Sequence, residues 1–302
     1  MYTTQSFLLA TSLLFSGLST AAPAPSPDFT NNANLIKRAN VALTPYAPIN
    51  AACPSTPLIR PASGLSSGET AYINARKTAA DQGLTAYLAS GSSSPPSYGN
   101  SELPVVGFTS SGGGYRSLLT TAGVVQGFDI RDSDTGVSGV YQSLTYQAGL
   151  SGGSWFLSSL AANNWPTITS LKTGLWEASF QAGLLVPANI LSANDDAIYA
   201  AVTADLVAKS AAGYNVTVVD PYGRLLSYQL LYGNDGGVKD TLSGLTGLSN
   251  FTSHNVPYPI ITITTDFPEK NICYPTLDGP MFEFRKSSAS HYSLTTTATS
   301  LS

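Results

Sequence analysis

With 302 residues the chain is long enough for one large domain or two small ones, and for a sizeable buried core. Only 11% of its residues are charged, against about 25% in ordinary globular domains, and Ser, Thr, Gly and Ala abound, a composition that favours a secreted protein. Fourteen Lys and Arg against eighteen Asp and Glu give a net charge of −4 with no basic block, which argues against nucleic acid as a partner.

The chain opens with an apolar run, Phe7 to Leu18, too short to span a bilayer and followed by the small residues Ser19-Thr20-Ala21. This reads as a signal peptide over residues 1–21, although its first residues lack Lys and Arg. No other stretch reads as a transmembrane segment. Residues 22–38 are rich in Pro, Asn and Ala and end in Lys37-Arg38, a dibasic pair that predicts a short propeptide. The expected localisation is therefore extracellular. Two acceptor sequons, at Asn215 and Asn250, suit that setting. Cys53 and Cys273 fit a compartment where a disulfide forms, but two cysteines leave their partners open. They lack metal-ligand spacing, and with only His254 and His291 beside them no metal site is expected.

From residue 39 a domain is expected to run to residue 284. Tyr46 to Pro54 reads as an extended lead-in. Ser66-Ser67-Gly68-Glu69 then offers a capping box to a surface helix carrying Tyr72, Ala75 and Ala79 and, past a break at Gly83, Leu84 and Leu88. Pro104 to Thr109 is a short apolar run fit for a buried strand, and a helical pattern holds from Tyr115 to about Gln126. Between them lie Gly112-Gly113-Gly114, so the glycines occupy a strand-to-helix turn whose N–H groups point at whatever anion lies there. Neither phosphate-loop glycine signature is present, which disfavours a nucleotide. Arg116 sits in the first helical turn, where a cation opposes the helix dipole; a bound anion accounts for it better than a surface ion pair does.

A second strand-to-helix turn follows. Leu144-Thr145-Tyr146 runs into Gly149-Leu150-Ser151-Gly152-Gly153, and Ser154 to Ala162 is helix-compatible, the arrangement of a nucleophile elbow with Ser151 at its apex. A hydroxyl attacks an ester carbonyl only if the turn lifts it clear and leaves N–H groups free for the oxyanion, so side chains at Gly149, Gly152 and Gly153 would obstruct. The bland alternative is a Gly/Ser-rich loop.

Asn194-Asp195-Asp196 opens another helix, ending near Gly213. Tyr214–Val219 alternates like a strand, Tyr222–Leu231 reads as helix, and Pro257–Thr265 is a second buried-strand candidate. Strands and helices alternate, which predicts an α/β fold, a mixed central sheet with helices on both faces. After Phe284 the pattern ends: ten of residues 287–302 are Ser or Thr. Residues 285–302 read as a disordered tail, or as the aberrant ending of a domain that continues elsewhere.

Together, Ser111-Gly-Gly-Gly-Tyr-Arg116-Ser117 and Gly149-Leu-Ser-Gly-Gly-Ser-Trp155 resemble the paired motifs of the fungal lysophospholipase (phospholipase B) family, relatives of the catalytic domain of cytosolic phospholipase A2. Asp220-Pro-Tyr-Gly-Arg224 and Pro257-Tyr-Pro-Ile260 extend the resemblance, which covers the amino-terminal part of that domain. It implies hydrolysis of acyl esters of lysophospholipids, with diacyl phospholipids as a further substrate class, at a lipid-water interface and without a cofactor. It implies Ser151 as nucleophile, Gly113 and Gly114 as the oxyanion loop with Gly152 as a further donor, and Arg116 for the substrate phosphate. The family's base is an aspartate in a late Asp-Gly-Gly segment; Asp235-Gly236-Gly237 resembles a different, non-catalytic segment, so impaired activity is expected of the chain as it stands. Two alternatives stand beside this reading: an α/β-hydrolase esterase with a Ser151, Asp235, His254 triad, and a non-catalytic secreted lipid-binding fragment.

Overall fold

The computed structural model describes residues 44–49, 52, 55, 59–61, 63–91, 103–181, 193–264, 281–285 and 288–292. The expected signal peptide and propeptide, Cys53, Cys273 and residues 293–302 lie outside the described residues.

Strand β1 is Ile59–Pro61, and helix α1 (Ser67–Ser90) follows. The N-cap half of its capping box forms: the Ser66 hydroxyl accepts from the Glu69 N–H at 3.1 Å. The expected break at Gly83 is absent, and the helix is no mere surface element. Gly83 lets it lie on the backbone of Gln142, whose carbonyl carbon would be 2.8 Å from an added Cβ. Glu69, Tyr72, Arg76 and Ala80 are buried, on one stripe at helical spacing. A buried guanidinium must satisfy its donors, and Arg76 donates to the carbonyls of Leu144, Gln142 and His254. Those three bonds tie α1 to residues far away in sequence.

Strand β2 (Val106–Ser110) leads to helix α2 (Gly114–Phe128), and strand β3 (Leu144–Leu150) to helix α3 (Gly152–Ala162). Then come α4 (Ile168–Leu171), a π-helical turn (Lys172–Trp176), α5 (Glu177–Ser179), α6 (Ala193–Ala211), α7 (Val219–Leu230) and α8 (Ser249–Thr252). Strands β4 (Tyr258–Thr264), β5 (Met281–Arg285) and β6 (Ser288–Tyr292) follow, and short 3-10 turns lie at Tyr141–Ser143, Asn234–Gly237 and Ser243–Gly247.

The six strands form one mixed sheet in the order β1-β6-β5-β4-β3-β2. Strands β2, β3 and β4 run parallel; β5 is antiparallel to β4 and β6; β1 is parallel to β6. Tyr146 and Gly149 are an odd number of residues apart and so face opposite sides of β3. The Tyr146 hydroxyl reaches Glu69 of α1, while Gly149 lies against the Gly153 backbone of α3, so helices cover both faces. Leu118, Phe156, Leu160, Trp165, Leu171 and Tyr258 are fully buried in the resulting core.

Three further expectations need correction. Strand β2 is the outermost strand of the described sheet and alternates between half-buried and exposed residues until Ser110, so it is not a buried strand. Tyr214–Val219 is not a strand. The Thr217 N–H and hydroxyl donate to the Asp220 carboxylate at 2.7 and 3.2 Å, a capping arrangement that starts α7 at Val219 instead. The Ser/Thr-rich stretch enters the sheet, since Ser288–Tyr292 pairs with both β5 and β1.

Residues 44–49 and 204–216 group as a small unit by themselves, apart from the larger unit that holds the sheet. Within it the end of α6 closes with Gly213 at φ 90° and the Tyr214 N–H on the Lys209 carbonyl at 3.2 Å, the helix stop expected near Gly213.

Candidate active site

Parallel neighbours β2 and β3 end side by side, with Ser110 in register with Gly149, and each feeds a helix. The two glycine-rich turns thus meet at the carboxyl edge of the sheet, where α/β folds place their ligands. Ser151 is exposed at the apex of the second turn, with φ 51° and ψ −120°. For a residue with a Cβ this backbone is strained, as at nucleophile elbows. Gly152, Gly153 and Ser154 behind it are buried.

The glycines let the backbones of the two turns pack together. A Cβ on Gly149 would lie 2.6 Å from the Gly153 carbonyl oxygen, one on Gly153 2.4 Å from that of Ser110, and one on Gly152 2.2 Å from that of Gly114. The first turn of α3 is therefore packed backbone to backbone on β3, β2 and the start of α2. Gly113, at φ 139°, adopts a conformation that side chains rarely take. The Ser117 hydroxyl donates to the Ser111 carbonyl and closes that loop.

Neither α2 nor α3 has a side-chain cap: Gly113 has none to offer and Ser151 makes no capping bond. The first-turn N–H groups of both helices have no intrahelical acceptor, and the two helix starts touch where Gly152 meets Gly114. This arrangement suits an oxyanion held by Gly113, Gly114 and Gly152, next to the Ser151 hydroxyl. Arg116 is exposed in the first turn of α2, and no carboxylate pairs with it among the described residues.

The triad partners are not brought to Ser151. The Asp235 carboxylate accepts from Arg224 at 3.0 Å and from the Tyr228 hydroxyl, which ties residue 235, at φ 56°, back onto α7. That neighbourhood and burial push the Tyr228 phenol up to about 12, burial being the larger cause. The His254 ring packs at 4.9 Å on Tyr72, and its carbonyl accepts from Arg76. Among the described residues no imidazole or carboxylate hydrogen-bonds to Ser151.

Aromatic residues frame the site in a way that sequence reasoning missed. Trp155, four residues after Ser151, packs edge-on against Tyr115 with ring centres 5.5 Å apart, and lies 6.2 Å from Tyr222 of α7. Tyr115 packs edge-on against Phe180 at 5.3 Å and donates its hydroxyl to Gln229. Burial pushes that phenol up to about 12, so it stays neutral. The signal was present in both motifs, where an aromatic residue directly follows Gly114 and Ser154. Of the sequons, Asn215 is exposed, whereas the Asn250 Nδ2 donates to the Asn164 carbonyl at 2.7 Å.

A mixed sheet with two glycine turns at its carboxyl edge and a strained serine on one of them defines an α/β protein of the cytosolic phospholipase A2 catalytic-domain type. The chain is similar to human GIVD cytosolic phospholipase A2, with a TM-score of 0.60 and 20% identity over 79% of this chain and 29% of that one. It is also similar to that protein in complex with methyl gamma-linolenyl fluorophosphonate inhibitor and terbium chloride (TM-score 0.54, 19% identity, 76% and 29% covered). At that identity the likeness shows the fold alone. Residues 106–293 match the model of the lysophospholipase catalytic domain, and the chain belongs to that family. Among curated relatives it is similar to lysophospholipase 3 of Candida albicans, 36% identical over 72% of this chain and 31% of that one. It is also similar to lysophospholipase 1 of the same organism (38%; 75% and 39% covered) and lysophospholipase 2 of Aspergillus fumigatus (35%; 72% and 40%). The chain spans well under half the length of these relatives.

Proposed function

We propose that this chain carries the nucleophile and oxyanion parts of a lysophospholipase that hydrolyses acyl esters of lysophospholipids, and of diacyl phospholipids as a further substrate class, at a lipid-water interface. The observation that carries the reading is the exposed, strained Ser151 set between two uncapped helix starts whose backbones touch at Gly152 and Gly114. The Ser151 Oγ attacks the acyl carbonyl, and the oxyanion is held by the N–H groups of Gly113, Gly114 and Gly152. Collapse expels the glycerol alkoxide, which takes up a proton, and leaves an acyl-serine that water hydrolyses to fatty acid and free serine. Arg116 holds the substrate phosphate, and the scheme needs no cofactor.

Among the described residues no carboxylate or imidazole stands on Ser151 as a general base. Such assistance contributes about 10²–10⁴-fold, and Asp235 is occupied by Arg224 and Tyr228. The 302-residue chain is therefore a slow catalyst in this reading. The same observation favours the second reading, a secreted lipid-binding fragment that retains lysophospholipid without turnover. We place the protein outside the cell on its composition, its apolar start and the exposed Asn215 sequon; a glycosidase-sensitive mass in the culture medium tests this.

The test of the main reading is end-point labelling with a fluorophosphonate, located by peptide mass spectrometry. Adduct on Ser151, absent in Ser151→Ala, supports it. Adduct elsewhere in a protein with measurable lipase activity sinks the assignment. Turnover at the rate of a full-length relative sinks the impairment.

A further inference from the structure

Gly112 opens the glycine run of the first turn, and neither the oxyanion role nor the phosphate role uses it. Two ordinary reasons for a glycine do not hold there. Gly113 and Gly114 have φ of 139° and 60°, which side chains rarely adopt, but Gly112 lies outside the left-handed region, so its backbone accepts alanine. Nor is it packed on the fold as Gly149, Gly152 and Gly153 are. It is exposed, and the atoms nearest to an added Cβ are the Ser151 Cβ at 3.0 Å, the Ser151 Oγ at 3.5 Å and the Leu150 carbonyl oxygen at 3.8 Å. What a side chain at position 112 would meet is the nucleophile.

The direction of that contact matters. An acyl carbon about to be attacked stands roughly 3–3.5 Å from the attacking oxygen. Its oxyanion points at the N–H groups of Gly113 and Gly114, the residues that follow Gly112, so the carbon lies on the side of Ser151 Oγ that faces this loop. A methyl group 3.5 Å from Oγ on that side stands in the same shell. The loop is pinned on both sides of Gly112, by the Ser117 hydroxyl on the Ser111 carbonyl and by the Ser117 N–H on the Gly113 carbonyl at 3.5 Å. We propose that Gly112 is a specificity-determining residue of the hydrolase: its missing side chain leaves room beside Ser151 for bulk next to the reacting carbonyl, so that acyl groups branched there are accepted as linear ones are. The proposal rests on the reading of Ser151 as the nucleophile.

Two isomeric esters test it, para-nitrophenyl butyrate and para-nitrophenyl isobutyrate, which differ only in a branch next to the carbonyl. With either, Ser151 Oγ bonds to the carbonyl carbon, the bond to para-nitrophenolate breaks, and the hydroxyl proton passes to water. Acyl-serine at position 151 of the 302-residue chain is followed by peptide mass spectrometry. In the wild-type protein the ratio of the two acylation rates is expected to follow the esters' own ratio of reactivity with hydroxide. Gly112→Ala should slow the isobutyrate about 10–100-fold more than the butyrate, the scale of a packing clash expressed as a rate. Gly152→Ala is the comparison, because its Cβ meets the Gly114 carbonyl rather than Ser151 and parts the two turns; it should slow both esters alike. A wild-type protein that discriminates against the isobutyrate beyond the hydroxide ratio overturns the proposal, whether or not Gly112→Ala folds. Equal effects on the two esters in a folded Gly112→Ala overturn it too, and so does a serine that fluorophosphonate labels but neither ester acylates. In each of those cases a fluorophosphonate adduct on Ser151 leaves the hydrolase reading standing while the role of Gly112 falls. No adduct on Ser151 from any of the three reagents removes the nucleophile and the proposal together.

Discussion

A Cβ placed on Gly152 would lie 2.2 Å from the carbonyl oxygen of Gly114, so the two turns of the candidate site touch through their backbones. Gly152→Ala must push the elbow and the oxyanion loop apart. Overpacking of this kind costs about 1–3 kcal/mol of stability. The displacement of the N–H groups relative to Ser151 is expected to lower the fluorophosphonate labelling rate about 100-fold. Labelling kinetics in a variant shown by circular dichroism to be folded checks this; an unchanged rate would mean that the two turns do not work together.

Arg116 is exposed and unpaired by any described carboxylate, so its removal should cost little stability. Arg116→Gln is expected to weaken binding of a lysophosphocholine ether by about 10–100-fold, the worth of a charge-assisted contact to phosphate. Arg116→Lys should recover only part of it, because the planar fork is lost. An uncharged alkyl glycerol ether of the same chain length should bind both variants as it binds wild type. Equal losses on the two ligands would remove the phosphate role.

The two motif turns were legible because each combines a strand pattern, a glycine cluster and a helix pattern within about a dozen residues, and the Ser66 cap because it is local. What stayed hidden depends on distant contacts. Arg76 looks like an exposed helix cation until the carbonyls of Leu144, Gln142 and His254 arrive. The close pass of Gly174 by the Tyr232 hydroxyl joins residues 58 apart, which no local pattern announces. The false strand at Tyr214–Val219 was avoidable. Thr217-Val-Val-Asp220 carries the capping pattern in its sequence, and a cap outranks a short alternation. Strand β6 was masked by composition, since Ser and Thr pair through the backbone as other residues do.

Asp235 and His254 are predicted to matter for stability rather than for chemistry. Asp235→Asn removes the carboxylate that accepts from the buried Arg224 guanidinium, 3% exposed; with Asp235 itself 35% exposed, the expected cost is about 1–2 kcal/mol. His254→Ala removes the ring on Tyr72, for a loss of roughly 1 kcal/mol. Urea unfolding should show both losses, while labelling of Ser151 in the folded variants keeps the wild-type rate. Labelling abolished in either folded variant would restore the Ser-Asp-His triad.

The last prediction concerns acid stability and rests on Asp129, at the end of α2. Its carboxylate is buried, and burial alone would push its pKa up. The opposing contacts prevail: the Arg131 side chain donates from Nε and Nη2, the shortest at 2.6 Å, the Arg131 backbone N–H at 2.9 Å, and Gln142 Nε2 at 2.7 Å. Together with the charge of Arg131 they hold the group below the usual carboxylate range. A carboxyl whose native pKa is depressed contributes stability that is fully present above its unfolded value, about 3.9, and is lost as pH falls through the native value. Asp129→Asn keeps the shape and discards the charge. It is expected to cost about 2–3 kcal/mol at pH 7, the worth of hydrogen bonds to a charged group. As pH drops below about 4 the wild-type stability should fall towards that of the variant, and the two unfolding curves should converge. Chemical denaturation of both proteins between pH 7 and pH 2 measures this; a gap that stays constant across that range would show that the contacts of Asp129 do not depend on its charge.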